Sequence, residues 1–139
     1  GENGELIKGK IGKELTTKDG YNAAKRCGLS IISQVKNACD NDLSKIRSCI
    51  KLTGYVNSTE DFIEQPKVIN GASDIIASIF GDAGMHTRAA VSTNSLPLGV
   101  SVEVDAIFEL NWFTYRHHNN QYSIFSFLKV NTYYAYRIF

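Results

Sequence analysis

This 139-residue sequence is short of several things, and each shortage argues against a class of function. Its three cysteines, Cys27, Cys39 and Cys49, are odd in number and form no CxxC pair. They read as reduced intracellular thiols, not as a disulfide framework or a zinc site. No apolar run is long enough to span a membrane. The net charge is only +1, which gives no global reason to expect a nucleic-acid surface. No internal repeat is present. An initiating Met is also lacking, and Gly1, Glu2, Asn3 and Gly4 make a turn-like opening. The chain therefore reads as starting inside a longer protein, with room for an upstream targeting segment.

What is present fits one domain with a moderate core. Charge is unevenly spread: residues 111–139 hold Arg116, Lys129 and Arg137 and no acid, while the part before them carries 12 bases and 14 acids. That slightly acidic body argues against electrostatically driven RNA binding. Thr16 or Thr17 can cap a helix, with Asp19 favourable in its first turn. Tyr21, Ala24, Gly28, Ile31, Val35 and Ala38 then form one buried stripe, and Gly28 is expected to permit close approach to a sheet. Asn41 and Asp42 end the pattern.

Residues 5–12 are expected to finish a hairpin. Residues 46–56 predict a strand with Ile46, Ser48, Ile50, Leu52 and Gly54 on one face, followed by a short helical turn at 61–64. Pro66 suits the first turn of a second helix, whose stripe is Val68, Ile69, Ala72, Ile75, Ile76 and Ile79. The fold class implied is α+β.

The richest stretch is residues 87–110. In it Arg88 is the only charge beside Ala89, Ala90 and Val91, and a turn of Leu96, Pro97, Leu98 and Gly99 follows. Val100, Val102, Val104 and Ala106 then alternate with Ser101, Glu103 and Asp105, the signature of a strand with one buried face. If the two strands are neighbours, Arg88 and Glu103 approach one pocket.

That layout resembles the reactive imine deaminase (RidA) family, whose fold is chorismate-mutase-like. The resemblance rests on Arg88, Leu96-Pro97 and the alternating 102–106 (VEVDA). It also includes residues 9–12 (GKIG), 52–57 (LTGYVN) and 66–73 (PKVINGAS), and so covers essentially all of 5–110. It implies a mixed β-sheet with two helices on one face, assembled as a homotrimer with ligand clefts at the subunit boundaries. A sheet covered on one face only gives a physical reason to associate.

The implied activity is hydrolytic deamination of 2-imino or enamino acids to 2-oxo acids and ammonium, a form of metabolite repair that needs no metal or cofactor. Arg88 matches the arginine that holds the substrate carboxylate, a task suited to the two parallel bonds of a guanidinium. Its structural alternative is an ion pair with Glu103 or Asp105 at an interface. Glu103 matches the acid beside the attacking water, and otherwise simply neutralises Arg88. Ala90 matches the position whose backbone faces the imine. Asn70 matches a helix asparagine near the cleft, with local capping or packing as the alternative. His86 reads as an exposed loop histidine, and the adjacent His117 and His118 are weak metal ligands on their own.

A reading from a different class keeps the arginine cleft as a non-catalytic module that binds small carboxylates. Some relatives are labelled ribonucleases, but this sequence shows no paired catalytic histidines and no broad basic stripe. The compartment implied is the cytoplasm, or the mitochondrion if a targeting segment precedes the chain.

Two departures from the family pattern stand out. Its first strands precede the point where this chain begins, so the domain, residues 1–110, reads as N-terminally truncated with an exposed sheet edge. Residues 111–139 then form an atypical extension holding ten of the fifteen aromatics. They read either as a strand pair, 122–130 and 132–139, that covers the incomplete sheet, or as translated non-coding sequence with no selected structure. The AT-rich residue bias favours the second reading. Base stacking on the aromatics is the weakest reading, given only three bases.

Overall fold

The computed structural model describes residues 5–111, 114–116, 122–124 and 127–133. The first helix, α1, runs Thr17–Ala38. Its start is set by a reciprocal capping box. The Thr16 hydroxyl accepts from the Asp19 amide at 3.2 Å, while the Asp19 carboxylate accepts from the Thr16 amide at 2.9 Å. Hydrogen bonds from Thr16 hold the Asp19 carboxyl below its ordinary range. The helix stops where Asp40 and Asn41 take positive φ angles of 56° and 64°.

Strand β1, Ile46–Asn57, follows, then helix α2, Gln65–Phe80, with Pro66 in its first turn. Strand β2 is Thr87–Thr93 and β3 is Val102–Leu110. The remaining strands are β4, Thr114–Arg116, β5, Tyr122–Ile124, and β6, Phe127–Tyr133. The main sheet has the order β2-β1-β3-β6, while β4 and β5 pair separately. β1 runs parallel to β2, with α2 as the crossover, and antiparallel to β3. This is the expected mixed sheet with two helices on one face. Among the described residues no helix is long and apolar enough to cross a membrane.

The core lies between that sheet face and the helices. Leu52, Val56, Val102, Val104, Ala106 and Phe108 meet Ile31, Val35, Val68, Ile69 and Ile76, all fully buried. Each of these side chains except Ala106 contributes roughly 1.5–3 kcal/mol through loss of apolar contact with water. α1 and α2 pack closely because small residues line their crossing. A Cβ on Gly71 would collide with the backbone of Tyr21, and one on Gly28 with Ile75 and Ala72. Gly28 thus admits the second helix, not a sheet as expected. The stripe of α1 holds at Ala24, Gly28, Ile31 and Val35 but is broader than expected: Ala23, Cys27 and Ile32 are buried too, whereas Ala38 is exposed.

β1 departs from simple alternation. Its register against β3 shifts between Ile46 and Ser48 and again between Cys49 and Lys51. Each shift inserts an extra residue and reverses the phase of the side chains. The buried set is therefore Ile46, Cys49, Leu52, Gly54 and Val56, and Ile50 is 39% exposed instead of facing the core.

Residues 5–12 form no hairpin. They are tied down by isolated bridges from Lys8 to Val100 and from Ile11 to Leu15 and Ser58. Residues 61–64 contain no helical turn. The β3 side of the sheet is paired with β6, from Glu103 opposite Tyr133 to Glu109 opposite Phe127, so the tail covers that edge. β6 runs straight through the position where the anticipated strand pair would have broken, and Val130 is buried. Residues 134–139 lie outside the described part.

Candidate functional site

Register decides which face each candidate side chain shares. Arg88 on β2 stands opposite Leu52 on β1, and Leu52 is buried beneath the helices. Paired residues in adjacent strands project to the same face, so Arg88 reaches toward α2. It sits on an edge strand, which leaves its guanidinium exposed.

Asn70 and Ser73, one turn apart on α2, receive it. Arg88 Nη1 donates to Asn70 Oδ1 at 2.6 Å and to Ser73 Oγ at 3.2 Å. Those two bonds use both Nη1 hydrogens. The Nε and Nη2 donors, which form a two-pronged edge, have no acceptor among the described residues. Arg88 also enters no ion pair among the described residues of its own chain.

The support continues behind Ser73. Its hydroxyl lies 3.0 Å from His86 Nε2, and His86 Nδ1 lies 2.6 Å from the Gly84 carbonyl oxygen. A carbonyl only accepts, so Nδ1 carries the proton. In the neutral ring Nε2 then accepts from Ser73. A continuous chain results, from Arg88 to Ser73 to His86 to Gly84. His86 is half-buried and engaged at both nitrogens, not an exposed loop residue. Ser73 and His86 were not among the candidates. The cues to them were the three-residue spacing from Asn70 to Ser73 and the two-residue spacing from His86 to Arg88.

These residues line a cleft of about 320 Å³ together with Asp74, Ala77, Gly84 and Met85. Ala90 lies two residues along β2 from Arg88, opposite Gly54, and is half-buried on the same face.

Glu103 is elsewhere. β1 lies between β2 and β3, so the two strands are not neighbours. Arg88 aligns through Leu52 with Ala106, whereas Glu103 aligns with Tyr55 and Val91. That is an odd offset of three positions, which puts the two side chains on opposite faces of the sheet. They are also separated by two inter-strand spacings, about 10 Å, and by about 10 Å along the strands. One chain therefore does not bring Arg88 and Glu103 into one pocket, contrary to the expectation from neighbouring strands.

Glu103 has its own polar surroundings on the uncovered face. One row beyond Tyr55 and Glu103 come Thr93, Asn57 and Ser101. Thr93 Oγ1, Asn57 Oδ1 and Ser101 Oγ are buried and have no hydrogen-bond partner among the described residues. Buried polar atoms in folded proteins normally find one, and ordered water often provides it.

Residues 2–110 match the family described as "YjgF/chorismate_mutase-like, putative endoribonuclease". "Protein TCP17" of Trypanosoma cruzi is 45% identical over 109 residues, which cover 78% of this chain and 68% of that protein. Among solved structures, the protein Atu1372 "with unknown function" from Agrobacterium tumefaciens superposes with a TM-score of 0.74 at 48% identity, covering 76% of this chain and 67% of the other. A "putative endoribonuclease" from Shewanella oneidensis gives a TM-score of 0.68 at 37% identity, covering 71% and 65%. The chain thus spans about two thirds of the length of each relative.

Proposed function

Because the chain belongs to the YjgF/chorismate-mutase-like family, we propose that its Arg88 cleft binds the carboxylate of small 2-imino acids and that the assembled protein hydrolyses them. The observation that carries this reading is the Nε/Nη2 edge of Arg88. The guanidinium is held through Nη1 by two neutral acceptors, and the edge suited to a carboxylate is left for a ligand. Ala90 supplies backbone groups beside the bound carbon.

In the reaction, water oxygen adds to C2 of the protonated C=N bond and loses a proton. The carbinolamine then collapses, the C–N bond breaks, and a 2-oxo acid and ammonium leave. Imines hydrolyse in water unaided, so fixing the substrate and moving one proton suffice. Glu103 orients the water from a second copy of the chain, since its own Arg88 lies on the other face of the sheet. The uncovered face that carries Glu103 is the surface for that association, in a homotrimer. The unit responsible is residues 1–110, with 111–139 as an extension. The buried free thiols suit a reducing compartment such as the cytoplasm.

One observation favours a second reading. A single chain offers the carboxylate fork without Glu103 in the same cleft, which is sufficient for a non-catalytic carboxylate-binding module. Ribonuclease activity, named in the descriptions of both the family and the Shewanella relative, has less support, because the histidine lining the cleft is engaged at both nitrogens.

Ammonium release from freshly generated 2-iminobutanoate tests the proposal. The protein is expected to accelerate it and Arg88→Ala to lose on the order of 100-fold in kcat/KM. Saturable 2-oxobutanoate binding without turnover would select the binding module instead.

A further inference from the structure

Two opposite charges line the Arg88 cleft without neutralising each other. Asp74, on α2, borders the same cavity as Arg88. Arg88 nevertheless bonds to the neutral Asn70 and Ser73, and Asp74 Oδ2 accepts from the Tyr21 hydroxyl at 2.8 Å. Neither charge enters an ion pair among the described residues. The Tyr21 bond fixes the carboxylate and leaves Oδ1 with no donor among those residues. Asp74 in turn holds the Tyr21 hydroxyl above its ordinary range, as an ionised carboxylate does to a neighbouring phenol.

The spacing matches a particular ligand dipole. Asp74 follows Asn70 by one helical turn, which sets their Cβ atoms about 5–6 Å apart. Arg88 is anchored at the Asn70 end. A 2-substituted acid with a cationic nitrogen carries its two charges on adjacent carbons. One hydrogen bond at each end extends that dipole to the separation of such a pair of protein groups. Ala77 and Met85, also in the wall, offer an apolar patch for a short aliphatic side chain.

We propose that Asp74 is a specificity-determining residue that reads the cationic nitrogen of the ligand, so that the cleft prefers 2-iminium or 2-ammonium carboxylates over 2-oxo acids. The inference rests on the carboxylate role of Arg88 proposed above. It adds that the cleft selects the protonated, electrophilic form of the substrate and releases the uncharged-carbonyl product more readily.

Calorimetric titration of the full chain with L-2-aminobutanoate and with 2-oxobutanoate, both stable, tests it. The wild type is expected to bind the amino acid more tightly. Asp74→Asn keeps the shape and the acceptor for Tyr21. It should weaken the amino acid roughly three- to tenfold while leaving the oxo acid unchanged or tighter. Unchanged thermal midpoints would show that the variant folds normally. Equal effects on both ligands, or none on either, would overturn the role of Asp74. Arg88→Ala separates the two levels of the argument. If it leaves 2-oxobutanoate binding intact, the carboxylate site itself is wrong. If binding requires Arg88 but Asp74→Asn does not discriminate, only the present inference fails.

Discussion

The two faces of the sheet are built from the same strands yet do different things. The helix side buries Leu52, Val56, Val102, Val104 and Phe108 completely, and at its β2 edge opens into the Arg88 cleft. The other side carries half-buried Thr53, Tyr55, Glu103, Asp105 and Ile107, which no helix among the described residues covers. Val91, on the same side, is 44% exposed. Because side chains alternate, one residue of register separates a core position from an uncovered one. In the proposed hydrolysis each face supplies one of the two groups, Arg88 on the helix side and Glu103 on the other.

The sharpest way to break this comparison is complementation. Arg88→Ala and Glu103→Gln should each lower imine turnover by on the order of 100-fold. Mixed assemblies of the two variants should then recover turnover that neither has alone, because one intact Arg88 can meet one intact Glu103 across a boundary. Co-expression with two affinity tags and an ammonium assay measures this. No recovery in verified mixed assemblies would mean that the two residues do not serve one substrate.

A smaller effect is expected on the helix side. Gly71→Ala places a methyl against the backbone of Tyr21 and should destabilise the fold by about 1–3 kcal/mol, read from urea unfolding. The same change should leave the association surface intact. If it dissociated the oligomer without changing monomer stability, the division of roles between the faces would be wrong.

The smallest effect concerns Cys49, buried on the helix side next to the second register shift. Burial pushes its thiol from an ordinary 9.0 up to about 12. The unfolded thiol ionises above pH 9 while the folded one stays neutral, so its contribution to stability is complete below pH 9 and declines between pH 9 and 12. Cys49→Ala should therefore show a shallower fall in thermal midpoint from pH 8.5 to 11 than the wild type. Parallel falls would place Cys49 in contact with solvent.

Much of the fold could be read locally. The Thr16 and Asp19 cap, the Pro66 helix start, the alternation of β3 and the Gly99 turn, with φ of 70°, all depend on residues a few positions apart. β1 was harder to read, because its bulges arise from matching β3 and Ile50 is the right residue in the wrong phase. Gly28 is legible as a close-approach point, but a missing Cβ does not say what comes near, and α2 fills the space instead of a sheet. In the site, the Arg88 and Asn70 pairing joins two candidates, while the link through Ser73 and His86 needed the packing of α2 over β2.

Residue order thus determined where helices and strands lie, because capping, turn preference and hydrophobic period are properties of neighbours in the chain. Tertiary structure decided that β1 inserts between β2 and β3, that β6 pairs with the β3 edge, and that Arg88 and Glu103 face opposite ways. Strand order and register are set by which distant surfaces bury best against one another. No local period encodes that choice.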